Sequence, residues 1–172
     1  MMVACQAMTE VEALKHIVGI AEMRISQDPD DTLVTYALGS CLGIAIYDPS
    51  TRIGGLLHVM LPLSTIDPVK AKENPCMFVD TGVPMLFHQC YEAGARRERL
   101  LIKVAGGANV SGSVEDRFEI GKRNFLVLRK LLWRNGLLLN AYDVGGHHSR
   151  TLALDIRTGQ LRVKANGIEK VL

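Results

Sequence analysis

The chain has 172 residues, of which 48% are hydrophobic, and a formal net charge of +2 at pH 7. That length and composition fit a single domain with a packed core. The charge is too small to indicate nucleic-acid binding, and no apolar run approaches the ~20 residues that span a bilayer. The first residues lack the basic segment followed by an apolar segment that is typical of a signal peptide, so we expect none. We therefore expect a soluble cytoplasmic protein without membrane insertion.

The first half of the chain is predicted to be rich in strands. Residues 1–16 show little pattern and are predicted to form a loose N-terminal extension, followed by a single domain over residues 17–172. The turn sequence Asp48-Pro49-Ser50-Thr51 suits a type I turn. β-Branched and aromatic residues favour a strand over Thr32–Leu38, and short apolar runs predict two more, over Leu42–Tyr47 and Ile53–Leu61.

The hairpin around this turn predicts a reactive pair. If Tyr47 pairs with Arg52, the ladder that continues outward from this pair places Cys41 directly opposite His58. Their Cβ atoms would then be ~4.5–5.5 Å apart. A thiol with a pKa of ~8.5 needs a neighbouring imidazole to become a nucleophile at neutral pH. The spacing therefore predicts a nucleophile and its base. Two alternatives stay open, a slipped register and a buried cysteine beside a core histidine.

The middle of the chain predicts a loop and a helix. Residues 62–74 are interpreted as a surface loop. The helix that follows is predicted to begin with Asp80 or Thr81 as its N-cap, to accommodate Pro84 in its first turn, and to end near Gly94.

The second half predicts one strand, one helix and a further set of short strands. The strand covers residues 100–105 and enters Gly106-Gly107, which match no phosphate-binding fingerprint and are interpreted as allowing close backbone approach. The helix covers about 121–134, with Phe125, Leu128, Leu131 and Leu132 along one stripe. Further strands are predicted over 137–142, 151–156 and 161–164, with a tight turn at Thr158-Gly159. Strands that do not alternate strictly with helices indicate an α+β fold.

The cysteines and histidines outside the hairpin predict no metal site. The other cysteines, Cys5, Cys76 and Cys90, lack a Cys-x-x-Cys spacing and are interpreted as reduced structural thiols, with Cys90 on the apolar face of its helix. The pair His147-His148 has no nearby ligand cluster and is interpreted as part of a polar loop. We expect neither a metal nor a cofactor.

An ordered set of motifs from about residue 18 onward resembles the CheD family of chemotaxis proteins. The motifs are Leu38-Gly39-Ser40-Cys41, Gly54-Gly55-Leu56-Leu57-His58-Val59-Met60-Leu61-Pro62, Asp80-Thr81, Lys103-Val104-Ala105-Gly106-Gly107-Ala108, Ile120-Gly121-Lys122-Arg123-Asn124, Asp143-Val144-Gly145-Gly146 and Thr158-Gly159-Gln160-Leu161. The family consists of chemoreceptor glutamine deamidases. The resemblance implies two packed sheets with helices on the outside, a layered α/β/β arrangement like the catalytic domain of deamidating toxins.

The resemblance also implies site residues and partners. It assigns catalytic roles to Cys41 and His58, with Thr35 as the third functional residue. The implied reaction is hydrolysis of receptor glutamine side chains to glutamate through a thioester, which tunes chemotactic adaptation. In that reaction the backbone N–H groups around Ser40 and Cys41 are the expected oxyanion donors, and Gly39 and Ser40 are the residues expected next to the oxyanion. The implied partners are methyl-accepting chemotaxis receptors and a CheC-type phosphatase.

Two other functions remain open at this point. One is a non-catalytic adaptor that binds receptors or a CheC-type phosphatase without turnover. The other is a general cysteine amidase or esterase for small substrates. A thiol–imidazole pair favours an enzyme over an adaptor, because binding alone does not require a nucleophile.

Overall fold

A computed structural model describes residues 14–110 and 117–172. The strands are β1 (Leu14–Ile17), β2 (Met23–Ser26), β3 (Asp31–Leu38), β4 (Leu42–Asp48), β5 (Ile53–Val59), β6 (Leu101–Gly106), β7 (Ala141–Val144), β8 (Arg150–Asp155), β9 (Leu161–Ala165) and β10 (Ile168–Val171). The helices are α1 (Pro68–Glu73), α2 (Val79–Ala93) and α3 (Ile120–Arg134). None of these helices is long and apolar enough to cross a membrane.

The strands form two five-stranded sheets that pack face to face. The outer sheet has the order β1-β3-β8-β9-β10, and the central sheet has the order β2-β5-β4-β6-β7. Along β4, Leu42 and Ile44 belong to the core between the central sheet and helices α2 and α3, whereas Ala45 belongs to the core between the two sheets. This alternation is the strand period of two. The predicted α+β fold of two packed sheets with helices outside is confirmed.

The β4–β5 hairpin forms where it was predicted, but its register differs by two residues. Asp48 pairs with Ile53, and Gly43, not Cys41, lies opposite His58. Arg52 takes a left-handed conformation with φ of 57° and joins the turn instead of pairing. The predicted direct opposition of Cys41 and His58 is therefore wrong. A shift of two residues nevertheless keeps every side chain on its original face of the sheet.

The segment predicted as a surface loop contains a short helix. The Asp67 carboxylate accepts a hydrogen bond from the Lys70 N–H at 3.0 Å, and Pro68 is the first residue of α1. An Asp N-cap followed by proline is a recognisable helix start. The prediction of a plain loop over residues 62–74 was therefore wrong.

Helix α2 begins without the predicted N-cap. Its first residue is Val79, so Asp80 and Thr81 lie inside its first turn. Asp80 instead accepts hydrogen bonds from the N–H and hydroxyl of Ser64, both at 2.8 Å. Pro84 is the sixth residue of the helix, beyond the first turn where it was predicted. Gly94 ends the helix with φ of 113°, as predicted.

The short edge strands differ most from the sequence interpretation. Strand β1 pairs in parallel with β3 from Leu14 onward, so the last residues of the predicted extension lie in a sheet. The rest of that extension, including Cys5, lies outside the described residues. Strands β2 and β10 were not predicted, and β7 begins at Ala141, later than the predicted start at residue 137. Helix α3 and the C-terminal strands β8 and β9 match the prediction closely.

A buried carboxylate anchors the end of β4. Asp48 is fully buried and accepts hydrogen bonds from Arg99 Nε at 2.9 Å and Nη2 at 2.6 Å. The backbone N–H groups of Ser50 and Arg96 donate to it at 2.9 and 3.0 Å. The Arg99 guanidinium holds the pKa of the Asp48 carboxyl well below its usual range. The Asp48–Arg99 ion pair therefore connects the β4–β5 turn to the segment between α2 and β6.

We expect Arg99→Ala to lower the free energy of unfolding by about 1–3 kcal/mol, because it leaves a buried carboxylate with backbone donors only. Urea denaturation at pH 7 measures this. The exposed Lys70–Asp67 pair, 3.9 Å apart, provides the control, and Lys70→Ala should change stability by less than about 0.5 kcal/mol. Equal effects of the two substitutions would contradict the assigned role of Asp48.

Candidate active site

Strand β3 buries both Thr35 and Leu38 between the sheets, and a bulge between these two residues makes this possible. Thr35 pairs with Leu152 of β8 and Leu38 with Arg150, so one extra residue lies on β3 between the two pairs. Residues three apart in a regular strand point to opposite faces, yet Thr35 and Leu38 are both fully buried. Ala37, with φ of 55°, absorbs the irregularity. Bulges of this kind are frequent beside active sites.

The Thr35 hydroxyl determines which nitrogen of His58 carries the proton. Thr35 Oγ1 lies 2.8 Å from Val18 O and 2.7 Å from His58 Nδ1. A hydroxyl has one hydrogen, and Val18 O can only accept it. The Thr35 oxygen must then accept a hydrogen bond from His58 Nδ1–H. In neutral His58 the proton is therefore on Nδ1, and Nε2 carries the lone pair.

The surroundings of His58 keep the imidazole neutral. The residue is 1% exposed, and burial lowers its pKa from 6.5 to about 4. Nε2 is buried and has no hydrogen-bond partner among the described residues. A neutral imidazole whose Nε2 carries no proton and has no hydrogen-bond partner among the described residues can act as a general base. This state differs from a resting thiolate–imidazolium ion pair, because burial disfavours the imidazolium.

Cys41 lies in the turn between β3 and β4, where backbone contacts fix its carbonyl. It is partly buried and packs against the core between the sheets. Cys76 and Cys90 are buried, and burial raises the pKa of the Cys90 thiol to about 12. The predicted structural role of these two cysteines agrees with their positions. Among the described cysteines, Cys41 is the most exposed.

Three successive carbonyl groups of this turn are hydrogen-bonded to neighbouring segments. Gly39 O accepts from the Ala108 N–H and Cys41 O from the Gly107 N–H, both at 2.8 Å. Ser40 O accepts from Asn124 Nδ2 at 3.0 Å. The turn that carries the cysteine is therefore held in one conformation from the β6 end and from α3.

Two glycines make this close approach possible. A Cβ on Gly106, which has φ of 118°, would lie 2.2 Å from Cys41 O. A Cβ on Gly121 at the start of α3 would lie 2.6 Å from Gly107 C. Real Cβ atoms do not approach backbone so closely, so both positions require glycine. The interpretation of Gly106-Gly107 as a point of close backbone approach is confirmed.

The corrected register still brings the predicted residues to one region. Gly43 faces the outer sheet, because a Cβ built on it would lie 2.4 Å from a side-chain atom of Leu152. His58 lies opposite Gly43 and contacts Thr35 across the two sheets. Cys41 lies in the turn just before β4 and packs on the core between the sheets, the core in which His58 contacts Thr35.

Gly39, expected next to the oxyanion, and the pair His147-His148 lie in different surroundings. The Gly39 N–H donates to Ala37 O at 2.9 Å, so this group is already engaged. His147 and His148 are exposed, and His147 Nδ1 lies 2.9 Å from Asn109 O, consistent with a polar loop.

Asn124 is a residue near the site that the sequence analysis missed. Its signal was a polar residue on the buried stripe of α3, three positions after Gly121.

Comparisons with known proteins match this chain to one family. Residues 60–165 match the family model for CheD, described as CheD chemotactic sensory transduction. A probable chemoreceptor glutamine deamidase CheD of Solibacter usitatus is 52% identical over 156 residues, covering 91% of this chain and 92% of the relative. A probable chemoreceptor glutamine deamidase CheD 1 of Syntrophus aciditrophicus is 48% identical, covering 88% and 94%. A third, of Anaeromyxobacter dehalogenans, is 41% identical, covering 86% and 92%.

Proposed function

Because this chain belongs to the CheD family, we propose that it deamidates glutamine side chains of chemoreceptors, with Cys41 as nucleophile and His58 as general base. The single observation that carries the mechanism is the hydrogen bond from His58 Nδ1–H to Thr35, since it leaves Nε2 able to take a proton. The proposed substrate is a glutamine on a cytoplasmic receptor helix. Its conversion to glutamate tunes chemotactic adaptation.

The first step forms a thioester. His58 Nε2 takes the Cys41 thiol proton as the sulfur attacks the carbon of the side-chain carboxamide, which gives a tetrahedral oxyanion and an imidazolium. The imidazolium then donates this proton to the departing nitrogen, the C–N bond breaks, and ammonia leaves. Burial makes the imidazolium unfavourable, so it exists only while the oxyanion is present to compensate it.

The second step returns the enzyme to its starting state. His58 Nε2 takes a proton from water, and the hydroxide attacks the thioester carbon. The C–S bond breaks, the sulfur recovers the proton from the imidazolium, and glutamate is released. One water is consumed and one ammonia produced for each glutamine, without any change in oxidation state.

The backbone around the nucleophile supplies the proposed oxyanion donors. The donors we propose are the N–H groups of Ser40 and Cys41, the peptide groups that lead into the nucleophile, whereas the Gly39 N–H donates to Ala37 O. Their peptide planes are held through the carbonyl groups that precede them, so the donors are preorganised. Each such donor is typically worth on the order of 10²–10³ in rate.

Thr35 is proposed to hold the imidazole in its productive tautomer and orientation. We expect Thr35→Val, which replaces the hydroxyl by a methyl group, to lower kcat by on the order of 10-fold. This loss is smaller than that of a general base, because a hydroxyl orients imidazole less strongly than a carboxylate. Thr35→Ser keeps the hydroxyl and should retain most activity. Equal activity of the Val and wild-type proteins would exclude Thr35 from the site.

The deciding experiment is mass spectrometry of a receptor cytoplasmic fragment incubated with the wild-type protein or with Cys41→Ser. An amide-to-acid mass increase at specific glutamines, absent with the variant, is the expected result. Binding of the fragment without any mass change would contradict the deamidase proposal and favour a receptor-binding or CheC-binding adaptor. Turnover of free glutamine amides but not of the fragment would favour a small-molecule amidase.

A further inference from the structure

The Asn124 carboxamide lies between the two segments that carry the proposed catalytic pair. The side chain is fully buried, and Nδ2 donates to Ser40 O at 3.0 Å and to Met60 O at 2.9 Å. Ser40 immediately precedes Cys41, and Met60 follows His58 by two residues. One side chain from α3 therefore joins the turn before β4 to the end of β5.

The chemistry of these contacts determines the orientation of the amide. Both partners are carbonyl oxygens, which only accept, so the atom that faces them must be Nδ2. Asn124 Oδ1 is then turned elsewhere and is buried without a partner among residues 14–110 and 117–172. A buried acceptor without a partner costs about 1–3 kcal/mol. Stability alone does not explain such a residue, and its role lies in its two donor contacts.

The position of Asn124 follows from the close contact between α3 and the end of β6. Gly121 packs directly on Gly107, and Asn124 lies three residues further along the same face of the helix. Leu128, four residues beyond Asn124, is fully buried in the core beneath the central sheet. The helix therefore approaches the turn at a fixed distance, and a short carboxamide reaches both carbonyl groups.

We propose that Asn124 is a positioning residue that orients the Ser40–Cys41 peptide group. This rests on the proposed function of Cys41 as the nucleophile. In a trans peptide the N–H points opposite to the C=O, so holding Ser40 O toward Asn124 directs the Cys41 N–H to the other side. That N–H is one of the proposed oxyanion donors. The bond to Met60 at the same time holds this peptide at a constant distance from the strand that bears His58.

Asn124→Asp tests this role with almost no change in shape. An ionised carboxyl has no donor and a protonated one has a single O–H, so aspartate cannot hydrogen-bond to both carbonyl oxygens. We expect kcat to fall on the order of 10- to 100-fold, because small displacements of reacting groups have effects of that size. KM should stay within about a factor of two, since the change acts on the transition state and not on receptor binding. Asn124→Ala removes the donors without adding charge and should lose kcat in the same way.

A matched variant separates positioning from folding. Leu128→Ala alters the same buried face of α3 without removing either hydrogen bond, so it should lower Tm while kcat per folded molecule stays near the wild-type value. Circular dichroism melting gives the folded fraction of each variant. Wild-type kcat per folded molecule in both Asn124 variants would overturn the proposal.

A second readout does not depend on the receptor. The rate at which iodoacetamide alkylates Cys41, followed on its peptide by mass spectrometry, reports the environment of the thiol as pH changes. We expect both Asn124 variants to shift this pH profile, and Leu128→Ala to leave it in place. Coincident profiles for all proteins would overturn the role of Asn124. Shifted profiles without receptor deamidation by the wild type would support Asn124 and overturn the deamidase function instead.

Discussion

Cys41→Ala should abolish receptor deamidation and leave the fold intact. The alanine removes the only atom that can form the thioester, whereas the backbone contacts of the turn, through Gly107 and Asn124, do not involve the sulfur. We expect a rate loss of at least about 10⁴-fold, within the range by which nucleophile removal reduces catalysis in other hydrolases. Mass spectrometry of the receptor fragment measures the rate.

Cys76→Ala provides the control for Cys41. Cys76 is buried, and burial is the main cause that raises the pKa of its thiol, so it is not a competing nucleophile. This variant should be less stable than the wild type but active when folded. Loss of activity in Cys76→Ala at a temperature where it is fully folded, or survival of activity in Cys41→Ala, would remove the assignment of the nucleophile.

His58→Gln should lower kcat by on the order of 10²–10⁴, the usual contribution of a general base. Glutamine is neutral and can still hydrogen-bond to Thr35, but it has no basic nitrogen. His88, which is exposed on α2 near Glu92, offers the matched control, and His88→Gln should keep wild-type activity. Equal effects of the two substitutions would exclude His58 as the base.

The pH dependence of the wild-type enzyme tests the same assignment. His58 must be neutral to accept the thiol proton, and burial lowers its pKa to about 4. We therefore expect the acid limb of kcat/KM to lie near pH 4, not near 6.5. A limb near 6.5 would contradict the buried, neutral base.

Stability changes over the same pH interval and must be measured beside activity. Below pH 6.5 the unfolded chain protonates this histidine, whereas the folded protein resists protonation until about pH 4. The unfolded state then binds more protons, so folding stability falls as pH drops from 6.5 to about 4. Circular dichroism at each pH distinguishes loss of the base from loss of the fold.

Local patterns in the sequence were sufficient for the elements with strong periodicity. The stripe from Phe125 to Leu132 predicted α3, and the turn at Asp48-Pro49 predicted the hairpin, because both signals arise within a few neighbouring residues. The register of that hairpin was not local. It depended on Arg52 taking a left-handed conformation and joining the turn, which no propensity of arginine indicates.

The short strands depended on distant partners. Strand β1 has only four residues and forms because it pairs with β3, and β10 forms against β9 at the edge of the outer sheet. Segments of that length bury too little surface to specify a strand by themselves. The buried pairing of Asp48 with Arg99 likewise joins residues 51 positions apart, and their sequence neighbourhoods contain no sign of it.

The sequence by itself determined the family, the α+β class and the identity of the three residues proposed for catalysis, because residue types and ordered motifs are properties of the chain. Only the tertiary structure decided how these residues act. The packing of the two sheets brings the Thr35 hydroxyl to His58, the Val18 carbonyl sets the tautomer, and burial keeps the imidazole neutral. The role of Asn124 likewise depends on the tertiary structure, since hydrogen bonds between distant segments exist only after the sheets and helices have packed.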